Sequence, residues 1–390
     1  MKTATRIGAA AVLSLIGIGL GACSSSNPPM FPADADLGQK IELTRQHLAL
    51  PGAVVAVYEG DEPVIRDAFG VASLATKEPM TLGHHFRVAS ITKPVVATVL
   101  LQLADEERVS LHDAVSRYVE GVPGGDDITL RELAQHTSGL RNYIAISEVK
   151  EAFATEPERS WTETELLSFA YDEGPYFKPT EDGWMYSNTN YILLGQVIEQ
   201  VEGKPLAAVI DERICQPLGL ANTAYSVESS LPKPFAKGYQ YGDADGPNFW
   251  VGEGTVAWDV TETSPSMWHA AGAMYSTLGD TRVLMDAITR GELVSDEAYA
   301  EQTTWRDAGY PVDYWYGLGL VKYFDTIGHN GNLPGYQVTA VRAPERDLTV
   351  VVLTNLYSSP NYEGPANAIM FVIMRHLTGE SYAPPGWDGW

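Results

Sequence analysis

Strand-forming runs bracket this chain at both ends, and the long stretch between them reads as helix. Near the start, Ala53 to Tyr58 and Pro63 to Phe69 flank Glu59-Gly60-Asp61-Glu62, a turn between two β-rich runs that signals a hairpin. Near the end, Gly317 to Lys322, Gly335 to Arg342 and Leu348 to Leu353 read as strands, with a closing helix from about Pro365 to Leu377. An amphipathic helix over Asp34 to Leu50, broken by Pro51-Gly52, precedes the first strand. Helical patterns then occupy Lys93 to Glu106, Leu130 to His136, Thr162 to Tyr171, Tyr191 to Val201 and Leu206 to Ile214. Both ends therefore supply sheet and packing helices around a largely helical insertion, an α/β (α+β) organisation. The expected division is a sheet domain from residues 34–98 and 271–390, with a mostly helical domain over 99–270.

A chain of 390 residues, 45% hydrophobic, is long enough for a large core. Its 50 acidic against 26 basic residues give a formal charge of −24, spread along the chain. Such a surface repels phosphate backbones and anionic headgroups, so nucleic-acid binding is disfavoured and solubility is served. The first 22 residues read as a leader. Lys2 and Arg6 form a positive start, and Ile7 to Leu20 an apolar run too short to span a bilayer. Leu20-Gly21-Ala22-Cys23 resembles the lipobox of bacterial lipoproteins, which implies cleavage before Cys23, lipidation of its thiol and a soluble extracytoplasmic domain tethered to a membrane. Residues 23–33, with Ser24-Ser25-Ser26-Asn27-Pro28-Pro29, suit a flexible tether. Only Cys215 then remains, so no internal disulfide is expected, and its apolar surroundings suggest a buried, inert thiol.

The chemistry-bearing candidates begin with Ser90-Ile91-Thr92-Lys93. A serine hydroxyl needs a base, and a lysine one helical turn away on the same face can supply it once desolvation lowers its pKa. The free N–H groups of a helix start could steady a developing oxyanion. Pro94 fits the first turn of that helix. Two other serines share the spacing, in Ser147-Glu148-Val149-Lys150 and Ser230-Leu231-Pro232-Lys233. The first reads as a solvated helix start and the second, followed by Pro234, as a loop. A Tyr-x-Asn triplet, Tyr186-Ser187-Asn188, pairs a phenol that can relay a proton with an amide that can bind a substrate carbonyl. Gly328-His329-Asn330-Gly331-Asn332 can place a positive or donor group at a sheet edge, with glycine admitting substrate to the backbone.

In this order the three motifs resemble the active site of the serine β-lactamase and penicillin-binding protein superfamily. They look most like its branch of class C β-lactamases, DD-carboxypeptidases, esterases and D-aminopeptidases. Phe86 to Lys93, His136-Thr137-Ser138-Gly139-Leu140, Gln216-Pro217-Leu218-Gly219-Leu220 and Ala271-Gly272-Ala273-Met274-Tyr275-Ser276-Thr277 strengthen the likeness, which covers nearly all of the chain after the leader. The resemblance implies a β-lactamase/transpeptidase-like fold, with an antiparallel sheet flanked by helices from both ends. It implies Ser90 as acylated nucleophile, with Lys93 deprotonating it and holding Tyr186 in a low-pKa state, and Tyr186 as proton shuttle. Asn188, His329, Asn330 and Gly331 would contact substrate, and the backbone N–H groups of Ser90 and Asn332 would form the oxyanion hole.

No cofactor is implied, and the eight scattered histidines hold no metal motif. His136 reads as a structural residue of its turn, and His84-His85 as surface loop residues. Histidine and asparagine at 329 and 330 replace the lysine and threonine common in relatives, which weakens the fixed charge expected to hold a β-lactam carboxylate. The expected function is therefore a membrane-anchored serine hydrolase acting on an amide or ester. A DD-carboxypeptidase, D-amino-acid peptidase or esterase fits best. A β-lactamase is an alternative, as is a non-enzymatic envelope protein binding peptidoglycan or a partner. The partner is a small-molecule or peptide substrate, with peptidoglycan fragments among the candidates.

Overall fold

A computed structural model describes residues 31–179, 181–249, 254–310, 312–360 and 364–383. The leader, Cys23 and most of the tether lie outside the described residues. The expected hairpin is present as β1 (Gly52–Glu59) and β2 (Glu62–Gly70). Three small elements, β3 (Phe86–Arg87), β4 (Ala224–Tyr225) and β7 (Met274–Ser276), form a second sheet in the order β3-β7-β4, and β5 (Tyr239–Gly242) pairs with β6 (Val256–Asp259). The C-terminal strands are β8 (Arg306–Asp307), β9 (Tyr314–Tyr316), β10 (Val321–Tyr323), β11 (Thr326–Leu333), β12 (Tyr336–Ala343) and β13 (Leu348–Thr354). The main sheet runs β2-β1-β13-β12-β11-β10-β9-β8, with antiparallel neighbours throughout.

Side-chain alternation explains how this sheet is held. Along β1 and β13, Val54, Ala56, Val351 and Leu353 join one buried cluster, while Ala53, Val55, Val57, Val350 and Val352 join the other. With both faces covered, β13 reads as an unbroken apolar run, Leu-Thr-Val-Val-Val-Leu-Thr, buried throughout. The helices Leu37–His47 and Pro365–Thr378, from opposite chain ends, pack on each other and cover one face. The helices Thr92–Asp105 and Leu278–Thr289 lie on the other side with the helical insertion. The first of these runs through position 98.

Two local readings are corrected. The single strand expected over Gly317 to Lys322 is instead a hairpin of β9 and β10, turned at Gly319, whose φ of +74° suits glycine. His84 and His85 are buried rather than on the surface; His84 Nδ1 faces the Thr81 hydroxyl at 2.7 Å, and His85 Nδ1 donates to the Pro234 carbonyl at 2.9 Å. Cys215 is buried as expected, and burial pushes its thiol up to about 12.

Candidate active site

Of the three serines with the same spacing, Ser90 is brought to the other motifs. Ser147 opens the helix Ser147–Thr155, and Ser230 to Lys233 follow no regular element. Ser90 lies in a 3-10 turn, Ala89–Ile91, that leads into the helix Thr92–Asp105. Ala89 takes φ +49°, a left-handed conformation that costs a residue with a Cβ of the order of 1 kcal/mol or more. Thr92 holds the turn by donating to the Ala89 carbonyl at 2.7 Å and accepting the Met274 N–H at 3.2 Å.

Lys93 Nζ is 3.0 Å from Ser90 Oγ and donates to the Ala271 carbonyl at 2.7 Å. The Tyr186 hydroxyl donates to Ser90 Oγ at 3.1 Å. Lys93 is wholly buried, and burial alone holds its amine well below the usual lysine range. Burial also pushes the Tyr186 phenol up, although its hydrogen bond to Ser90 opposes this. The low-pKa tyrosine expected from the sequence is therefore not found in the resting site. Desolvation penalises both charged forms, so burial eases loss of the Lys93 proton and resists loss of the Tyr186 proton. Once it has lost its proton, Lys93 can still donate to the Ala271 carbonyl while its lone pair accepts the Ser90 hydroxyl proton.

The third wall is the edge of β11. Its pairing with β10 ends at Gly328, so His329 to Leu333 are bonded in the sheet only to β12. This edge packs against the Ser90 turn. A Cβ on Gly331 would overlap the Val88 carbonyl oxygen and lie 3.0 Å from both the Ala89 Cβ and the Ser90 N. Glycine is required here for space. Asn332 follows, opposite Gln337. His329 is buried, with its ring 6.5 Å from that of Tyr186. Its Nε2 faces the Tyr316 hydroxyl at 3.1 Å, and its Nδ1 the Asn330 carbonyl. A neutral ring that donates from Nδ1 and accepts at Nε2 satisfies both contacts. Burial first, and Lys93 second, push its pKa down to about 3, so His329 brings no positive charge to the site near neutral pH. Strand alternation puts Asn330 on the opposite face, where it lines a cavity of about 40 Å³ with Thr339 and Asn367.

Asn188 opens the helix Asn188–Glu202, with its backbone N–H donating to Asn142 Oδ1 at 3.2 Å. Its own Oδ1 is buried and has no partner among the described residues, which leaves an acceptor for an N–H donor. Motif reasoning missed Asn142, Tyr316 and the Ala271 carbonyl. Only the last had a sequence signal, the Ala271-Gly272-Ala273 run. Among the described residues, no group of three or more His, Cys, Asp or Glu could hold a metal ion.

A nucleophile flanked by a desolvated amine and a phenol, against a glycine-lined strand edge, can form and resolve an acyl-serine. The comparisons agree with that chemistry. The beta-lactamase family model matches residues 41–373. The chain is similar to a penicillin-binding protein of Bacillus subtilis, at 27% identity over 349 residues covering 86% of this chain and 74% of the relative. It is also similar to a D-aminopeptidase of Cereibacter sphaeroides, at 27% identity over 87% of this chain, and spans 63% of that protein's length. Among solved structures, a D-stereospecific amidohydrolase from Streptomyces sp. superposes with a TM-score of 0.75 at 29% identity, covering 89% of this chain and 100% of that one. Matched over residues 41–373, with the serine, lysine and tyrosine converging, the chain belongs to the β-lactamase family of serine hydrolases.

Proposed function

We propose that this enzyme hydrolyses an amide or ester built on a D-amino acid, through an acyl intermediate on Ser90. The observation that carries the reading is the convergence of Lys93 Nζ and the Tyr186 hydroxyl on Ser90 Oγ, with the lysine desolvated. Lys93 takes the hydroxyl proton as Oγ bonds to the substrate carbonyl carbon. The Ser90 and Asn332 N–H groups steady the oxyanion. As the adduct collapses, Tyr186 passes its proton to the departing nitrogen or oxygen and regains one from Lys93. Water then opens the acyl ester, releasing the acid and restoring Ser90. Asn188, through its unpaired Oδ1, receives an N–H of the substrate.

The likeness to proteins named D-aminopeptidase and D-stereospecific amidohydrolase supports a D-amino-acid amide or short peptide as substrate. A neutral His329 supports the same choice over a β-lactam, since it offers no fixed charge for a carboxylate. The Leu20-Gly21-Ala22-Cys23 pattern supports an exported enzyme anchored through Cys23.

Two measurements test this reading. A fluorophosphonate probe is expected to label the chain once, on the peptide carrying Ser90. Label on another residue, or none, would overturn the acyl-serine assignment. In a hydrolysis panel, a D-amino-acid amide is expected to turn over at least tenfold faster than its L-enantiomer, nitrocefin or acyl-D-Ala-D-Ala, on the order of 1.4 kcal/mol of discrimination. Faster turnover of nitrocefin would replace the substrate class but leave Ser90 in place.

A further inference from the structure

His136, which the sequence presents as part of a structural turn, makes three contacts with the segment carrying Tyr186. It ends the helix Leu130–Gln135 in the left-handed region, at φ +63°, and is fully buried. Its carbonyl accepts the Met185 N–H at 3.0 Å. Its ring lies 4.3 Å from the Tyr186 ring, centroid to centroid, tilted by 40°. Its Nδ1 accepts the Ser187 N–H at 3.2 Å. A backbone amide can only donate, so Nδ1 is the acceptor and the neutral ring carries its proton on Nε2.

The surrounding groups fix this ring in turn. Asn190 donates to Nδ1 from Nδ2 at 3.2 Å, while its Oδ1 accepts the Ser138 hydroxyl at 2.8 Å. The rings of Tyr316 and Tyr191 lie 4.7 and 5.3 Å away. Burial, with Lys93 nearby, keeps the imidazole well below its usual range, so it stays an acceptor. Tyr186 needs such a support. It sits in an irregular stretch that becomes helical only at Asn188, so no ladder of its own fixes its backbone. A phenol hydroxyl is far from its Cα, and a small rotation at Ser187 would move it off Ser90 Oγ. A misplacement of about 1 Å can cost on the order of a hundredfold in rate.

We infer that His136 is the positioning residue for Tyr186, holding the phenol against Ser90 through its Nδ1 acceptor and its ring face. This rests on the serine-hydrolase reading in which Tyr186 moves a proton. The test is a double-mutant cycle of His136→Phe and Tyr186→Phe in the full chain, read as kcat and KM on an ester substrate. Phenylalanine keeps a ring and its volume but removes the acceptor. His136→Phe alone is expected to lower kcat roughly 10- to 100-fold and leave KM within about threefold. In the Tyr186→Phe background the further loss is expected to be under about twofold. Additive losses would overturn the role of His136. Full activity of Tyr186→Phe alone would overturn the relay beneath it.

His136→Asn separates positioning from packing. Asparagine tolerates a positive φ and presents Oδ1 close to the place of Nδ1, but it leaves a cavity where the ring was. It is expected to be the less stable of the two His136 variants and the more active. Activity that follows melting temperature across the pair would mark a purely structural residue and overturn the proposal.

Discussion

Lys93→Met is expected to lower kcat/KM on the order of 10³-fold, in the range spanned by removal of a general base. Methionine fills much the same volume and removes both the base and the donor to the Ala271 carbonyl. The pH profile separates this loss from a packing defect. A base works in its neutral form, so the wild-type rate falls as pH drops through the folded pKa of Lys93. Burial holds that pKa well below the ordinary value of 10.5. The wild-type profile should therefore flatten well below pH 10.5, and the methionine variant should lose this acid limb. A wild-type rate still climbing towards pH 10.5 would show that Lys93 is not the base.

Stability provides an independent reading of the same group. Below 10.5 the unfolded chain carries a proton on Lys93, while the folded chain does not until pH falls below the lowered value. Between the two values the unfolded state binds one more proton. Wild-type stability relative to Lys93→Met should thus rise with pH by up to about 1.4 kcal/mol per unit, levelling off above the ordinary lysine value. Chemical denaturation at several pH values measures this slope. A flat difference would mean that the amine keeps its charge on folding.

The sequence made some of this site legible and hid the rest for physical reasons. Apolar, β-branched runs revealed β1, β12 and β13, because burial on one or both faces shapes their composition, whereas the mostly exposed β2 was legible through the Glu59-Gly60-Asp61-Glu62 turn before it. β11 was legible only as a motif. Thr-Ile-Gly-His-Asn-Gly-Asn-Leu is poor in strand formers, and its pairing with β12 from Ile327 to Leu333 fixes its conformation instead. The convergence of Ser90, Lys93 and Tyr186 followed from motif order, whereas their protonation did not. Spacing says nothing about depth, and depth is what lowers the Lys93 pKa and raises that of Tyr186. The same limit applies to His329. Its position was legible, but its lack of charge depends on partners, Tyr316 and the Asn330 carbonyl, that the chain brings together only on folding. His84 and His85 show the converse error, since two adjacent polar residues read as surface yet are buried against Thr81 and Pro234.

Gly331→Ala is expected to cost on the order of a hundredfold or more in kcat/KM, from the addition of one methyl group. No positive φ accounts for this glycine, so its role is to leave room between β11 and the Ser90 turn. The new Cβ would overlap the Val88 carbonyl oxygen and crowd the Ser90 N at 3.0 Å. Neither neighbour yields easily. Both are backbone atoms of a turn already committed to Ala89 at φ +49°, and β11 is fixed to β12 along seven residue pairs from Ile327 to Leu333. Strand and nucleophile must therefore part, carrying the Ser90 N–H away from the edge it faces. Overpacking of this kind also costs stability, about 1–3 kcal/mol, so the melting temperature should fall as well. Gly279→Ala is the matched control. Its Cβ meets nothing within 4 Å in the helix Leu278–Thr289, and the change should leave activity untouched. A Gly331→Ala enzyme within about threefold of wild type would mean that the β11 edge is not a wall of the site, and the oxyanion hole would have to be sought elsewhere.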